Sequence, residues 1–518
     1  MKNKIKSIWK KHSPIFKWQI SGHHPKGPLV RPIDPWKGSI INGEKSFLSH
    51  PKLISDSYWN SFEWLRDLRE IANKKAIIVS RNLVDEWCYQ NSNWDDKTWS
   101  PRFIGSRLSN ILFCYGTFAD TADNEFQNRL MKQFSSQARY LELEWKNIKN
   151  HSDRLYALLG LMAGRICLTK QQDEINYIIE VIIGEIEKVI NIDGMHFSRK
   201  PQLQLETLKI SIEVHYLGKS SIKKVREEYN NILNNLISCS KMLQHSDGSI
   251  INFNGGSKFG KNKVSQLVSK SDVSVKALSG ISEDGFAKLN SKSTSLIFDM
   301  GMPNKDTQNW HAGTLSFEFS HGKNLILVNN GFLDIDSNWA NALRGTSAHS
   351  TISIDGRNSS SLENNKDIDR IAEITEKYLE NTSKGDFASA THNGYYSSHG
   401  IYHKREITLN KQGSKISGMD ELIYSGGPGA IALNAELRFH LHPSLKVAKA
   451  LSGDIIIRLK NGSGWLFKLD ELEPNLEDSI FIKENNVLRS QQILVNVPLS
   501  ALRSCGSKMI KWEFYKSL

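Results

Sequence analysis

Residues 309–356 read NWHAGTLSFEFSHGKNLILVNNGFLDIDSNWANALRGTSAHSTISIDG. Within them Thr314–Phe319, Asn324–Val328 and Thr351–Asp355 are short runs of aliphatic, aromatic and β-branched residues, separated by Gly, Asn and Asp. That texture predicts antiparallel strands joined by turns. Ser295–Asp299 extends it upstream, and Lys404–Leu409, Ala435–Leu441, Ile455–Leu459 and Gly464–Leu469 extend it downstream. Many of these runs lie roughly ten residues apart, the spacing of a sandwich of antiparallel sheets.

Upstream of residue 275 the period changes. Trp59–Ile71, Ala76–Tyr89, Phe103–Thr117, Asn124–Trp145, Arg154–Leu168, Ile175–Ile190, Gln202–Leu217 and Ile222–Leu243 place apolar residues three and four apart, which predicts amphipathic helices. Turn signals at Ser92-Asn93, Asp193-Gly194 and Asp247-Gly248 separate several of them. Helices in sequential antiparallel pairs make an (α/α) toroid or an α-solenoid. The predicted fold is multidomain: an N-terminal all-α domain, (α/α) toroid or α-solenoid, followed by a C-terminal antiparallel β-sandwich. Its parts are a basic tail at 1–45, the helical domain at 46–250, a Ser-, Lys-, Asn- and Gly-rich linker at 251–276, and the sandwich at 277–518. Within the linker, Gly255 to Lys261 approaches a phosphate-binding loop, but Asn262 stands where Ser or Thr must hold magnesium, so it reads as linker.

The chain has 518 residues and a formal net charge of +12, which suggests a polyanionic partner. Residues 1–37 carry nine Lys and Arg against Asp34 alone, a surplus of eight, which leaves a surplus of four for the other 481 residues. A nearly neutral body argues against nucleic acid as partner, and the basic tail carries the separate expectation of a peripheral membrane contact. Five dispersed cysteines without a CxxC pair, and no apolar run after the basic start, lead to the expectation of a cytoplasmic protein.

Three groups of residues could carry chemistry. Asp193-Gly194-Met195-His196-Phe197-Ser198-Arg199-Lys200-Pro201 gathers His, Arg and Lys in a helix–helix loop, either a solvated turn or a site for a carboxylate or sulfate. His311 and His349 flank apolar strands, with Asn329 at the end of another; they are either structural or, with Asn329, a minimal zinc set. His392, Tyr395 and His403, and the Arg438, His440, His442 alternation, suit either a ligand face or a solvated sheet.

These motifs resemble the heparinase II/III family of polysaccharide lyases. HAGTLSFEF, the strand ending VNNG, RGTSAHSTISIDG, HNGYYSSHGIYHKREITL, RFHLHP and, in the helical half, DGMHFSRKP occur in that family's order over most of residues 55–500. The resemblance implies a toroid and a sandwich with substrate in a cleft between them. It also implies β-elimination on an acidic, uronic-acid-containing polysaccharide, and a place in the periplasm or cell envelope, to which lyases of the family are commonly exported. Such a reaction needs cationic groups on the carboxylate, a base for the C5 proton and an acid for the O4 leaving group. Carried over, His196 is the catalytic residue, with Tyr156 and His151 beside it in the helical half. Arg199, Arg344, Tyr395, His403 and Asn150 face substrate, Asp153 being an alternative match to the Asn150-His151 pair. No cofactor is required for the elimination, and zinc is implied at His311, His349 and Asn329. This sequence departs from the family at Asn309 (His in the family), Gly313 (Asp), Asn329 (a metal-binding Asp) and near Leu203 (a catalytic Tyr). Those departures leave a second expectation open, a glycan-binding protein that has lost its acid–base pair.

Overall fold

The computed structural model describes residues 11, 13–169, 171–221, 227–258, 262–271, 273–304, 309–333, 337–362, 370–427, 429–484 and 486–517. Two compact units are present. One holds Met1–Val189, Glu206–Asn234 and Lys270–Asp272; the other holds Ile190–Leu205, Asn235–Ser269 and Val273–Leu518.

The first unit is helical: α1 (Pro14–Ile20), α2 (Ile40–Leu48), α3 (Asp56–Ser61), α4 (Trp64–Glu70), α5 (Lys74–Gln90), α6 (Pro101–Phe118), α7 (Asn124–Glu144), α8 (His151–Leu168) and α9 (Gln172–Glu187), with parts of α10 (Pro201–Ser221) and α11 (Glu227–Met242). Together these helices are the (α/α) toroid expected from the sequence. Side chains of Ser13, Ser39, Ser55, Asn73, Ser100, Asp123 and Asn150 cap the first turns of seven of them, accepting hydrogen bonds that the helix cannot supply itself. Helices α6 and α8 touch backbone to backbone: a Cβ at Gly105 would lie 1.9 Å from Tyr156 O, and one at Gly160 2.5 Å from Gly105 Cα. Among the described residues, no helix is long and apolar enough to cross a membrane.

The structure revises several boundaries. The single helix expected over Trp59–Ile71 is two, because Phe62 takes a left-handed φ of 61° between α3 and α4. Residues 222–226, expected as helix, lie outside the described residues, as do 259–261 of the glycine-rich stretch. The described part of the basic tail is built into the helical unit. Arg66 and Arg69 hold Asp34 at 2.9 and 2.8 Å, Trp36 donates to Glu213 at 2.7 Å, and Arg31 pairs with Asp120 at 2.6 Å. Part of the expected linker is helical too, over α12 (Lys263–Val268).

The second unit carries three antiparallel sheets. One runs β1 (Phe286–Ser291), β2 (Thr294–Asp299), β3 (Phe317–His321), β4 (Asn324–Leu327) in order. The strands after it are β5 (Ile352–Ile354), β6 (Ile374–Asn381), β7 (Gly385–Tyr395), β8 (Ile401–Asn410), β9 (Lys415–Tyr424), β10 (Asn434–His440), β11 (Lys446–Lys449), β12 (Ile455–Arg458), β13 (Gly464–Leu469), β14 (Pro474–Lys483), β15 (Asn486–Pro498) and β16 (Ser507–Ser517). They form a second sheet, β14-β15-β10-β5, and an eight-stranded third, β11-β12-β13-β16-β9-β8-β7-β6. Phe317, Phe319, Phe439, Trp465, Phe467, Trp512 and Phe514 fill the core between them, with the Phe317 and Trp512 rings stacked at 5.3 Å.

Along β8 the buried residues are Ile401, His403, Arg405, Ile407 and Leu409, a period of two that turns polar groups inward with the apolar ones. Burial holds these histidines neutral. It lowers the pKa of His349 to about 4 and of His440 to about 3, and pushes His392 well below its ordinary range. Each is neutral in the fold and takes up a proton on unfolding, so its contribution is present above the unfolded pKa near 6.5 and is lost as pH falls toward the folded value. Urea unfolding at pH 7 and pH 5 is expected to show a loss of about 2 kcal/mol for each of His349 and His440 over that interval. Replacing His440 with Gln should flatten the slope.

Candidate functional site

His311 and His349 meet inside the second unit, 3% and 2% exposed. Nδ1 of His349 lies 2.8 Å from Gly345 O, so this nitrogen carries the proton, since a carbonyl only accepts. His349 Nε2 is then the acceptor for His311 Nδ1, 3.1 Å away, and the lone pair of His311 is left on Nε2. Among the described residues, nothing hydrogen-bonds that nitrogen. Burial first, then His349, Lys200 and Arg344, keep His311 neutral. Gly313 makes the meeting possible: a Cβ there would lie 2.5 Å from His349 Cδ2. Asn309 and Leu315, on either side of His311, both take left-handed φ, 57° and 62°. Such backbone costs about 1 kcal/mol per non-glycine residue and is held by its surroundings.

Beneath the pair sits Glu318, 1% exposed between the buried Phe317 and Phe319. Its Oε1 accepts from Asn329 N at 2.9 Å, Asn329 Nδ2 at 3.1 Å and Asn252 N at 3.1 Å, while Oε2 meets His245 Nε2 at 2.8 Å. The other end of the Asn329 amide accepts from Ser350 N at 2.9 Å. Among the described residues, no group of three or more His, Cys, Asp or Glu is placed to hold a metal ion. The expected zinc set therefore lacks its third donor, because Asn329 is tied at both ends to the protein.

Two loops carry the histidines, and one guanidinium ties them. Arg405 Nη1 donates to Leu315 O at 2.6 Å and to Ser350 O at 2.7 Å. Its Nε and Nη2 hold Asp420 at 2.7 and 3.0 Å, directly across the β8–β9 register. Burial would raise the Asp420 carboxyl, but Arg405 and His403 more than reverse this and hold it at about 2.

The expected roles of Tyr395 and His403 are corrected by this arrangement. Tyr395 is fully buried and donates to Ile352 O at 2.6 Å, and His403 is fully buried between Asp420 (2.6 Å) and His392 (3.2 Å). Neither faces solvent. His440 is likewise interior, against Ser347 O at 3.0 Å, and not on a solvated sheet.

Arg199 is corrected too. It is 5% exposed, paired with Asp299, and its guanidinium lies 4.5 Å from the Phe286 ring, so its charge is spent on the fold. Its φ of 58° turns the chain into Lys200 and α10. His196, 5% exposed, accepts Ser198 N–H on Nδ1 at 3.1 Å, which leaves its proton on Nε2 and makes it a donor. Arg344, at the end of α13 (Ser337–Arg344), donates to Asn341 at 2.7 Å, and its carbonyl accepts Ala312 N, beside His311.

In the helical unit Asn150 caps α8 through Asp153 N at 3.0 Å, and His151 Nδ1 lies 3.6 Å from Glu185. Tyr156 is 8% exposed, under Arg102 at 4.3 Å, and burial pushes its hydroxyl up to about 12, so it is protonated at neutral pH. Leu203 lies in the first turn of α10. Asp420 and Glu318 have no site role in the sequence reading. The signal for Glu318 was a lone acid between two phenylalanines in a strand.

A helical toroid followed by an antiparallel sandwich is a polysaccharide lyase-like fold, and solved structures share it. A heparinase III gene product superposes with a TM-score of 0.69 at 12% identity, over 88% of this chain and 78% of its own. Heparan sulfate lyase HepC from Pedobacter heparinus gives 0.63 at 15% identity, over 94% and 81%. A second heparinase III structure gives 0.63 at 12%, over 93% and 78%. No curated protein matches the sequence. Residues 275–513 match the family described as heparinase II/III-like, C-terminal, as the motifs implied.

Removing one partner of a buried pair leaves the other charged and unpaired. Arg405→Met is therefore expected to cost about 3–5 kcal/mol in urea unfolding. Arg405→Met with Asp420→Asn should recover part of that loss; no recovery would show that the pair is not the source of the cost.

Proposed function

We propose that this protein is a polysaccharide lyase acting by β-elimination on an acidic, uronic-acid-containing polysaccharide. The ordered His311–His349 pair carries the proposal. It presents a neutral imidazole with its lone pair on His311 Nε2, and the charges acting on that ring come from Lys200 and Arg344. Elimination asks for a base at C5, cations on the carboxylate, and a proton for O4. His311 fits the first need, Lys200 and Arg344 the second, and the Nε2–H of His196 the third. His349 orders the tautomer of His311 through Gly345.

A second reading, a glycan-binding protein without turnover, is favoured by Leu203 near the position where the resemblance implies a catalytic Tyr, and by the high pKa of Tyr156. We place the protein in the cytoplasm. Its five cysteines are all free, three of them buried, which supports a reducing compartment. An intracellular or envelope-precursor glycan is then the substrate class.

Elimination creates an unsaturated uronate that absorbs in the ultraviolet. Across a panel of uronic-acid polymers, absorbance should rise with at least one. His311→Ala should lower kcat/KM by roughly 10²–10⁴-fold on that polymer, the usual loss of a positioned base. Retained binding without any absorbance rise would establish the second reading instead.

A further inference from the structure

We propose that the position where the family resemblance implies zinc is, in this chain, a metal-free site in which the Asn329–Glu318 couple takes the place of the ion. The two imidazoles alone do not decide the matter. Their facing nitrogens are 3.1 Å apart, close to the roughly 3.3 Å between two ligands of a tetrahedral zinc. The third position decides it.

Asn329 is fully buried, and its amide has one orientation: Nδ2 must donate to Glu318 Oε1, and Oδ1 must accept from Ser350 N. An Asp at 329 would set an oxygen against Glu318 Oε1 at about the present 3.1 Å, lone pair against lone pair, with both carboxylates out of water. Glu318 cannot turn away, because Asn252 N, Asn329 N and His245 hold it from three sides. The carboxylate at 318 thus selects an amide at 329, and an amide is a neutral, weak ligand.

Charge points the same way. A zinc ion here would be held by two neutral imidazoles and a neutral amide, with Lys200 and Arg344 positive beside His311 and the carboxylate of Glu318 already engaged by Asn329, Asn252 and His245. Such a ligand set carries no charge of its own to offset a dication. Glu318 is the positioning residue of the site: it anchors Asn329, which through Ser350 N fixes the residue next to His349. None of this depends on whether the protein turns over a polysaccharide.

The first measurement is the zinc content of the full-length protein after incubation with zinc and dialysis. Substoichiometric metal is expected, with no change in Tm on adding zinc. One tightly held zinc per chain, released by His349→Ala, would overturn the proposal. The second is the double variant Asn329→Asp with Glu318→Gln, which relieves the carboxylate clash and restores an anionic ligand. It is expected to gain about one zinc per chain, a gain abolished by adding His349→Ala. A folded double variant that gains no zinc would overturn the role given to Glu318. Nitrogen-15 spectra of the histidines in the native protein decide independently if the double variant does not fold. Protons on Nδ1 of both rings, unmoved by excess zinc, are expected, whereas zinc-induced shifts at both rings would refute the proposal.

Discussion

The sandwich unit is organised around the Arg405–Asp420 pair. Both groups are wholly removed from water, which is tolerable only when every donor and acceptor is met. Arg405 spends its donors on Asp420, Leu315 O and Ser350 O, and Asp420 accepts from Arg405, His403 and Trp512 Nε1. The consequence is geometric. Two loops far apart in sequence, one before β3 and one before β5, are fastened to the centre of the eight-stranded sheet at a single guanidinium. The histidine pair sits on those loops, so its spacing depends on a charge in the core.

A second constraint is the neutrality of the buried imidazoles. Burial disfavours the charged forms of His311 and His349, and each is given one tautomer by a fixed partner, Gly345 O for His349 and His349 for His311, while Ser198 N makes an acceptor of His196 Nδ1. The two histidines nearest the expected chemistry thereby differ in kind, one offering a lone pair and the other a proton. Identical side chains acquire opposite hydrogen-bonding character because their first hydrogen-bond partners differ.

Much of the architecture was legible in the sequence, because periods of three to four and of two register burial directly. The helices from Lys74 to Glu187 and strands such as Gly464–Leu469 fell close to where the pattern set them. Burial of polar residues was not legible. Alternation puts His403 and Arg405 on one face of β8 but does not say whether that face looks inward; the answer lies in Asp420, on a strand the pattern did not reveal. Arg199 looked like a ligand for an acidic substrate because its partner Asp299 is 100 residues away. The departures at Gly313 and Asn329 were visible as losses, yet their meaning required the ring of His349 and the carboxylate of Glu318 in place.

The two compact units are not two stretches of sequence. Ile190–Leu205 and Asn235–Ser269 precede the family-matched residues 275–513 but belong to the sandwich unit. They bring His245 and Asn252 to Glu318, and Arg199 to Asp299. A fragment cut at the family boundary would take His245 and Asn252 from Glu318 and Arg199 from Asp299, although no strand had been severed. The sandwich unit is therefore larger than residues 275–513, and it begins in sequence before the last two helices of the toroid.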